Sequence, residues 1–398
     1  MKKLAVVFST VLALVACNKT PDPAVSVNPD TVEVGYEGTA EAVKVEVKAN
    51  RAWKIVKDAQ DWYSVEPLEG TGDATLYIRV DAMEAAAARA AELTIQAETA
   101  TAKLSIVQGL PEADDVKSGS FVIEEVFFTG VQQENGSSDA DDGDQYIRIT
   151  NNTDKLLYAD GLYICLSSEH SQNGGSSYWE IDDDLSKDIL VRDMFKIPGT
   201  GEEVPVLPGH SLIIAIAAQD FAAENGVGFD LSAADFEIYD GENVDQDNPD
   251  VPNLENFIKS SLTITILHNR GHQSYALVKF PEDVTEETFK AEKAFTGTRT
   301  FWMDGAIFGK ANRPYPAGSY LVPNAWVVDG INCGVEEEFG RPAFNATIDA
   351  GYTGCGSVKN DPNRYGKSAL RKNANGKLVD TNNSTNDFTR DAAPTLKK

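Results

Sequence analysis

The sequence is poor in cysteine, histidine and positive charge. It contains four cysteines and four histidines. No two cysteines have the Cys-x-x-Cys spacing of a structural zinc site, and no Gly-x-Ser-x-Gly segment frames a nucleophilic serine. Lysine and arginine together number 35 against 62 acidic residues, which gives a formal net charge of −27. Such a field repels nucleic acid and acidic polysaccharide and attracts divalent cations, so we expect no nucleic-acid partner.

Long apolar runs are missing after the N-terminus. A basic start, Met1–Lys3, is followed by an apolar stretch at 4–14 that is too short to span a bilayer as a helix. The tetrapeptide Leu-Val-Ala-Cys then ends at Cys17. This order resembles the lipobox of bacterial lipoproteins, whose leader is removed before a cysteine that receives lipid. The resemblance implies a signal peptide at 1–16, lipidation of Cys17 and a polar tether at 17–23.

The region 24–109 has the pattern of short β-strands. Apolar and polar residues alternate at 43–47, 76–80 and 93–95, which is typical of strands with one buried face. Gly- and Asp-containing turns separate these strands, as in β-sandwiches. Trp53 and Trp62 accompany the strands, so we expect both in the core.

The same region resembles the BACON family, a Bacteroidetes-associated domain often found at the N-terminus of carbohydrate-active proteins. The residues that carry the resemblance are Trp53, Trp62, Val65-Glu66-Pro67, Gly70, Gly72, Val80, Arg89, Leu93-Thr94-Ile95 and Ile106-Val107-Gln108. The resemblance implies an immunoglobulin-like sandwich. The domains that occur beside BACON domains in other proteins imply contact with glycan or mucin.

Residues 110–118 form an acidic linker, and a second β-rich region covers 119–398. Strand patterns recur in it, and short helices are predicted at 254–260 and 284–293. Gly-, Asp- and Asn-rich insertions separate the strands at 130–144, 166–203, 219–260 and 330–366. Loops of such length are uncommon in compact domains and often carry function. The predicted fold class is therefore all-β, with two immunoglobulin-like sandwiches and long loop insertions in the second.

The second region also resembles the lamin-tail family of immunoglobulin-like domains and an uncharacterised Bacteroidetes lipoprotein family built on such a core. The resemblance is carried by Val206-Leu207-Pro208-Gly209-His210, Gly366-Lys367-Ser368-Ala369-Leu370-Arg371 and the closing run from Asp380-Thr381-Asn382 to Asp387-Phe388.

One insertion is a candidate calcium site. It contains Asp139, Asp141, Asp142 and Asp144, and clustered carboxylates can supply the oxygens that calcium requires. The spacing does not fit an EF-hand loop. The alternative is a solvated acidic loop, and no other cofactor is expected.

Two further pairs of residues stand out in the loops. Tyr178 and Trp179 follow a Gly- and Ser-rich segment and are candidates for stacking on a sugar ring, with anchoring of the loop onto the sandwich as the alternative. Cys333 and Cys355 lie in Gly-rich sequence and could form a disulfide in an exported chain. Cys165 lies in an apolar run and is expected to be a buried thiol.

The histidines give little positive signal for chemistry. His268 and His272 are four residues apart, but they lie where a strand runs into a turn, so their rings need not converge. A metal site there is not expected. His170 follows Ser168 and Glu169, and a catalytic triad has no support in this pattern.

We therefore predict a lipid-anchored protein of the cell envelope that is not an enzyme. We expect an outer-membrane lipoprotein, and the sequence leaves open whether it faces the cell surface or the periplasm. It would act in binding or as a scaffold, capturing glycan or nutrient beside an outer-membrane transporter. The expected partners are the membrane, through the anchor, and a polysaccharide or that transporter. One alternative is a hydrolase with its site in the loops of 130–260, and another is a purely structural surface protein.

Overall fold

The computed structural model describes residues 21–396 apart from 134–135, 137–142, 172–176, 243, 261–262 and 314–317, and it leaves the side chains of 177–179, 225 and 311–313 undescribed. The chain divides into two units, with the boundary between Leu110 and Pro111. Each unit is described by itself below. None of the helices in the described part of the chain has the length and apolar content that a bilayer span requires.

The first unit is a sandwich of two sheets. Its strands are β1 (Val25–Asn28), β2 (Thr31–Val34), β3 (Val43–Ala49), β4 (Ala52–Val56), β5 (Tyr63–Glu66), β6 (Glu69–Thr71), β7 (Ala74–Val80), β8 (Arg89–Ala97) and β9 (Ala100–Gln108). One sheet has the order β1-β3-β7-β5, and the other has the order β2-β9-β8-β4-β6. All pairs are antiparallel except β2 with β9. The inward residues of both sheets form one apolar core.

Both tryptophans of the first unit lie in this core, as the sequence predicted. Trp53 is 3% exposed and Trp62 is 7% exposed. The indole of Trp53 donates to the carbonyl of Gly72 at 2.9 Å. A Cβ at Gly70 would lie 2.5 Å from the Trp53 ring, so this approach requires glycine. The guanidinium of Arg89 lies 4.8 Å from the centre of the Trp62 ring.

The second unit contains many more elements. Its strands are β10 (Phe121–Phe127), β11 (Tyr146–Asn151), β12 (Leu157–Tyr158), β13 (Leu162–His170), β14 (Ser177–Ile181), β15 (Asp188–Lys196), β16 (Pro205–Val206), β17 (Ser211–Ala215), β18 (Phe236–Glu237), β19 (Glu255–Ile258), β20 (Gln273–Lys279), β21 (Gly297–Met303), β22 (Ala306–Arg313), β23 (Tyr320–Pro323), β24 (Val327–Ile331), β25 (Ser368–Arg371), β26 (Asn373–Ala374), β27 (Lys377–Leu378) and β28 (Phe388–Ala392). Its helices are α1 (Phe221–Asn225), α2 (Glu286–Glu292) and α3 (Ser384–Asp387), with 3-10 turns at Asn324–Trp326 and Pro362–Arg364.

Two six-stranded sheets form the centre of this unit. The first has the order β18-β17-β11-β10-β25-β28, and the second has the order β19-β15-β13-β20-β24 with β23 also paired to β15. Their facing sides share one large apolar cluster. The outer side of the second sheet buries a further cluster that includes Phe289 of α2. Successive residues of β13, such as Tyr163 and Ile164, therefore enter different cores, which explains its continuous apolar sequence.

The all-β class is confirmed, while one of the two helix predictions is wrong. The helix expected at 284–293 forms as α2, which begins at a capping box on Thr285. The segment 254–260 instead contains strand β19, because it pairs with β15 and forms the edge of the second sheet. Ile258 stands opposite Met194 in this pair. Tertiary pairing overrides local preference at such an edge. The insertions also carry a three-stranded sheet, β14-β21-β22.

The C-terminal motif that resembles a lamin tail contributes one buried cation, Arg371 of β25, to the sheet with the order β18-β17-β11-β10-β25-β28. The Arg371 side chain is 1% exposed, and its guanidinium lies 2.6 Å from the Asp329 carboxylate and 3.9 Å from that of Asp387. Its Nε donates to the carbonyl of Ile123 at 2.8 Å. Burial raises the pKa of Asp329 even though Arg371 opposes the shift. The motif therefore has a structural role in this unit.

Candidate functional site

The structure describes only some of the candidate residues that the sequence suggested. Cys17 and three of the calcium candidates, Asp139, Asp141 and Asp142, lie outside the described residues. The fourth candidate, Asp144, is fully buried and accepts a hydrogen bond from the backbone of Val131 at 3.0 Å. The calcium site thus stays a prediction.

The aromatic pair lies on a strand rather than in a loop. Tyr178 and Trp179 belong to β14 and stand opposite Trp302 and Phe301 of β21. Their side chains are outside the described part, so a role in ligand binding stays a prediction.

The three described cysteines are unbonded thiols in this structure, and all are buried. Cys333 and Cys355 belong to the same apolar cluster. Burial is the main cause that raises the pKa of both thiols. The disulfide between them also stays a prediction.

A cluster of histidines is the feature that the sequence did not predict. The ring of His268 lies 4.9 Å from that of His170 and 5.0 Å from that of His272, measured between ring centres. The sequence left open whether the rings of His268 and His272 converge, and the structure brings them together.

The backbone explains why the rings meet. His170 ends β13 and pairs in register with Gln273, the first residue of β20, so it arrives beside His272. A turn reverses the chain between His268 and His272, with the N–H of Gly271 donating to the His268 carbonyl at 2.7 Å. Gly271 has φ of 72°, and a Cβ there would lie 2.7 Å from the ring of Phe128. Glycine is therefore required at this turn.

The environment keeps these imidazoles neutral. Burial is the main cause that lowers the pKa of His170 and His272 to about 4 and that of His268 to about 3. Arg192 and Arg270 contribute in the same direction through their positive charge. A neutral imidazole offers one donor and one acceptor nitrogen, so the rings supply hydrogen bonds and flat faces rather than charge.

An open cleft of about 460 Å³ lies in front of His170 and His268. Its lining includes Arg192, Asp193, Ile266 and Arg270. This volume lies within the range of small-molecule sites. Of the described charged side chains, the lining holds two arginines and one aspartate. His272 lies behind the lining, with its Nε2 3.1 Å from the Glu338 carboxylate.

Buried carboxylates fix the walls of the cleft. Asp240 accepts hydrogen bonds from the backbone and hydroxyl of Thr265 and lies 2.6 Å from the ammonium of Lys259. Asp193 accepts from the backbone N–H of Ser260 at 2.6 Å and from Nε of Arg192 at 3.0 Å. Asp193 thus fixes Ser260 to β15, and Asp240 fixes Thr265, the neighbour of Ile266.

The described residues bring together no group of three or more His, Cys, Asp or Glu side chains arranged to hold a metal ion. The hydroxyl of Ser168, near His170 in sequence, is instead hydrogen-bonded to that of Ser319 at 2.7 Å. The arrangement is suited to reversible binding through arginine, imidazole and apolar contacts.

Comparison with known proteins gives two family matches. Residues 51–109 match the BACON family, described as "Putative binding domain, N-terminal", which confirms the domain predicted there. Residues 207–395 match a family described as "Protein of unknown function (DUF4876)". His268 and His272 fall inside this second match, whereas His170 precedes it. No curated protein matches the chain.

Solved structures resemble the chain at low sequence identity. A crystal structure of a DUF4876 family protein from Bacteroides thetaiotaomicron VPI-5482 has 18% identity and a TM-score of 0.54, with 94% of this chain and 96% of that chain covered. That likeness shows a shared fold. A Bacteroides ovatus GH5 xyloglucanase in complex with a XXXG heptasaccharide has 18% identity and a TM-score of 0.21, over 30% of each chain. The chain is therefore similar to BACON domains in its first unit and to the DUF4876 family over residues 207–395.

Proposed function

We propose that the protein is a lipid-anchored, non-catalytic binding protein of the cell envelope that captures a glycan or nutrient in the cleft of its second unit. Cys17 would hold it at the outer membrane, beside a transporter that takes up the captured ligand. The two family matches support this reading at the level of a Bacteroides surface or binding protein. The anchor and the ligand class are the finer parts of the proposal.

The observation that carries the proposal is the composition of the cleft. Guanidinium groups, imidazoles and amides converge there with the exposed side chain of Ile266 on one open surface. Binding sites for small polar ligands combine apolar walls with a few placed polar groups in this way.

Hydrolysis is less well supported by the same cleft. The hydrolase alternative requires a pocket that joins His170 or His210 to two convergent carboxylates. The described lining of the cleft contains one carboxylate, Asp193, and its oxygens already accept hydrogen bonds from Ser260 and Arg192. The cleft therefore supports ligand binding better than hydrolysis.

Binding is tested by calorimetric titration of the full mature chain against a panel of host and dietary oligosaccharides. We expect at least one to bind, and substitution of His268→Ala to weaken it at least tenfold. The variant His210→Ala is the matched control, because His210 does not line the cleft. If no oligosaccharide binds, the chain is better explained as a structural surface protein.

The anchor is tested separately by labelling cells with a palmitate analogue. The wild-type chain should carry label in the membrane fraction, and Cys17→Ser should abolish the label and leave the precursor unprocessed. A labelled Cys17→Ser variant, or an unlabelled and freely secreted wild type, would contradict this part of the proposal.

A further inference from the structure

The charge inside the cleft is opposite to that of the chain. The whole sequence has a net charge of −27. The described lining carries two arginines against one aspartate, and its imidazoles are neutral. A local positive surface in a strongly acidic protein favours a ligand with negative charge at that point.

Neither arginine is fully satisfied by the residues that the structure describes. Arg192 donates through Nε alone, to Asp193 and Ser260 at 3.0 Å each, and its two terminal nitrogens have no partner among the described residues. Arg270 donates to the amide oxygen of Asn360 at 3.1 Å, and within the described ranges it has no carboxylate partner. Guanidinium groups with open N–H edges match a carboxylate through paired hydrogen bonds.

The rest of the lining is suited to a sugar ring rather than to a bare inorganic anion. Ile266 is 43% exposed beside the cleft, and the half-buried Ile264 adds apolar surface. The imidazoles of His170 and His268 and the amide of Gln273 offer neutral donors and acceptors. An apolar wall, neutral hydrogen-bonding groups and a cation together match a ring that has hydroxyls and one carboxylate.

We propose that this cleft binds a sugar acid, a monosaccharide or chain end that carries a carboxylate, and that Arg270 and Arg192 receive this carboxylate. The inference rests on the proposed binding function and names its ligand class. The acidic surface outside the cleft repels long polyanions, so a single acidic unit is favoured over a uniformly charged polymer.

Calorimetric titration of the full mature chain in detergent provides the test, with glucuronate, galacturonate and N-acetylneuraminate as probes. Glucose and galactose are the neutral controls, and inorganic phosphate is the control for a plain anion. We expect at least one sugar acid to bind ten times more tightly than either neutral sugar and than phosphate. A lost charge-assisted hydrogen bond weakens binding by about ten- to a hundredfold. Arg270→Gln should show a loss of that size.

Arg79→Gln is the matched charge control, because Arg79 is exposed on β7 of the first unit. It should bind the sugar acid as the wild type does. Equal binding of neutral and acidic sugars, unchanged in Arg270→Gln, would overturn the sugar-acid inference and leave the proposed glycan binding intact. Phosphate binding as tight as that of the sugar acid would also overturn the inference. Failure of every sugar in this and the oligosaccharide panel would instead contradict the proposed function itself.

Discussion

The cleft histidines make the stability of the second unit sensitive to acid. Burial lowers the pKa of His170 and His272 to about 4, and that of His268 to about 3, from an ordinary value of 6.5. As the pH falls, the unfolded chain takes up protons near pH 6.5, while the folded unit stays unprotonated until about pH 4. The unfolded state thus binds more protons within this window, and the free energy of unfolding falls as the pH falls.

The size of the effect follows from the shifts. A ring whose pKa is 6.5 unfolded and about 4 folded lowers the free energy of unfolding by about 2 kcal/mol between pH 7 and pH 5. The three rings together give on the order of 4 kcal/mol, less than three times the single value, because His170 and His268 are partly exposed and share part of their shifts. The Glu338 carboxylate, 3.1 Å from Nε2 of His272, also reduces the contribution of that ring. This is a large share of the stability of an ordinary domain.

Urea unfolding of the mature chain at pH 7 and pH 5 measures the change. Hydrogen exchange of the amides in β13 and β20 assigns the transition to the second unit. We expect the double variant His170→Gln, His268→Gln to lose about 2 kcal/mol less stability over this range than the wild type does. His210→Gln, outside the cleft, should behave as the wild type does.

Buried carboxylates act in the opposite direction but cancel in this comparison. Burial raises the pKa of Asp329 and of Asp349, so each favours the folded state as the pH falls. Both are present in all the variants. An equal loss of stability in the wild type and the double variant would refute the assignment of neutral, buried imidazoles in the cleft.

Three further substitutions test the structural basis of the two units. Arg371→Ala leaves the buried Asp329 without its cation and should lower the free energy of urea unfolding of the second unit by about 3–5 kcal/mol; a loss below 1 kcal/mol would contradict the buried network. Trp53→Ala should destabilise the first unit by about 3–5 kcal/mol in thermal unfolding, and an unchanged melting temperature would place the indole outside the core. Gly271→Ala should weaken ligand binding and destabilise the second unit by about 1–3 kcal/mol, more than Gly209→Ala does, because Gly209 has a similar φ of 74° but open space for a Cβ.

The sandwich strands could be predicted because each displays its environment locally. Residues of β3 and β7 alternate between core and solvent, and this period of two is written in the sequence. The helix predicted at 284–293 is likewise a local element, α2, and a capping box on Thr285 begins it. Strand β19 lacked one, since its conformation depends on pairing with β15 at the edge of a sheet.

The cleft could not be predicted, because its parts meet through long-range register. His170 reaches the other two histidines only because it pairs with Gln273, and more than a hundred residues separate these strands. The one local hint was Gly271 between His268 and His272, where a positive φ turns the chain back. The sequence did not indicate the two arginines either, because the hydrogen bonds that a guanidinium forms depend on which carboxylates the fold places beside it.

Nuclear magnetic resonance of selectively labelled histidine side chains tests the central claim most directly, because the chain has four histidines. The account predicts that a bound sugar acid shifts the imidazole signals of His170 and His268, which line the cleft, and leaves that of His210 unchanged. Binding that is detected by calorimetry but moves neither cleft signal would contradict the assignment of this cleft as the ligand site.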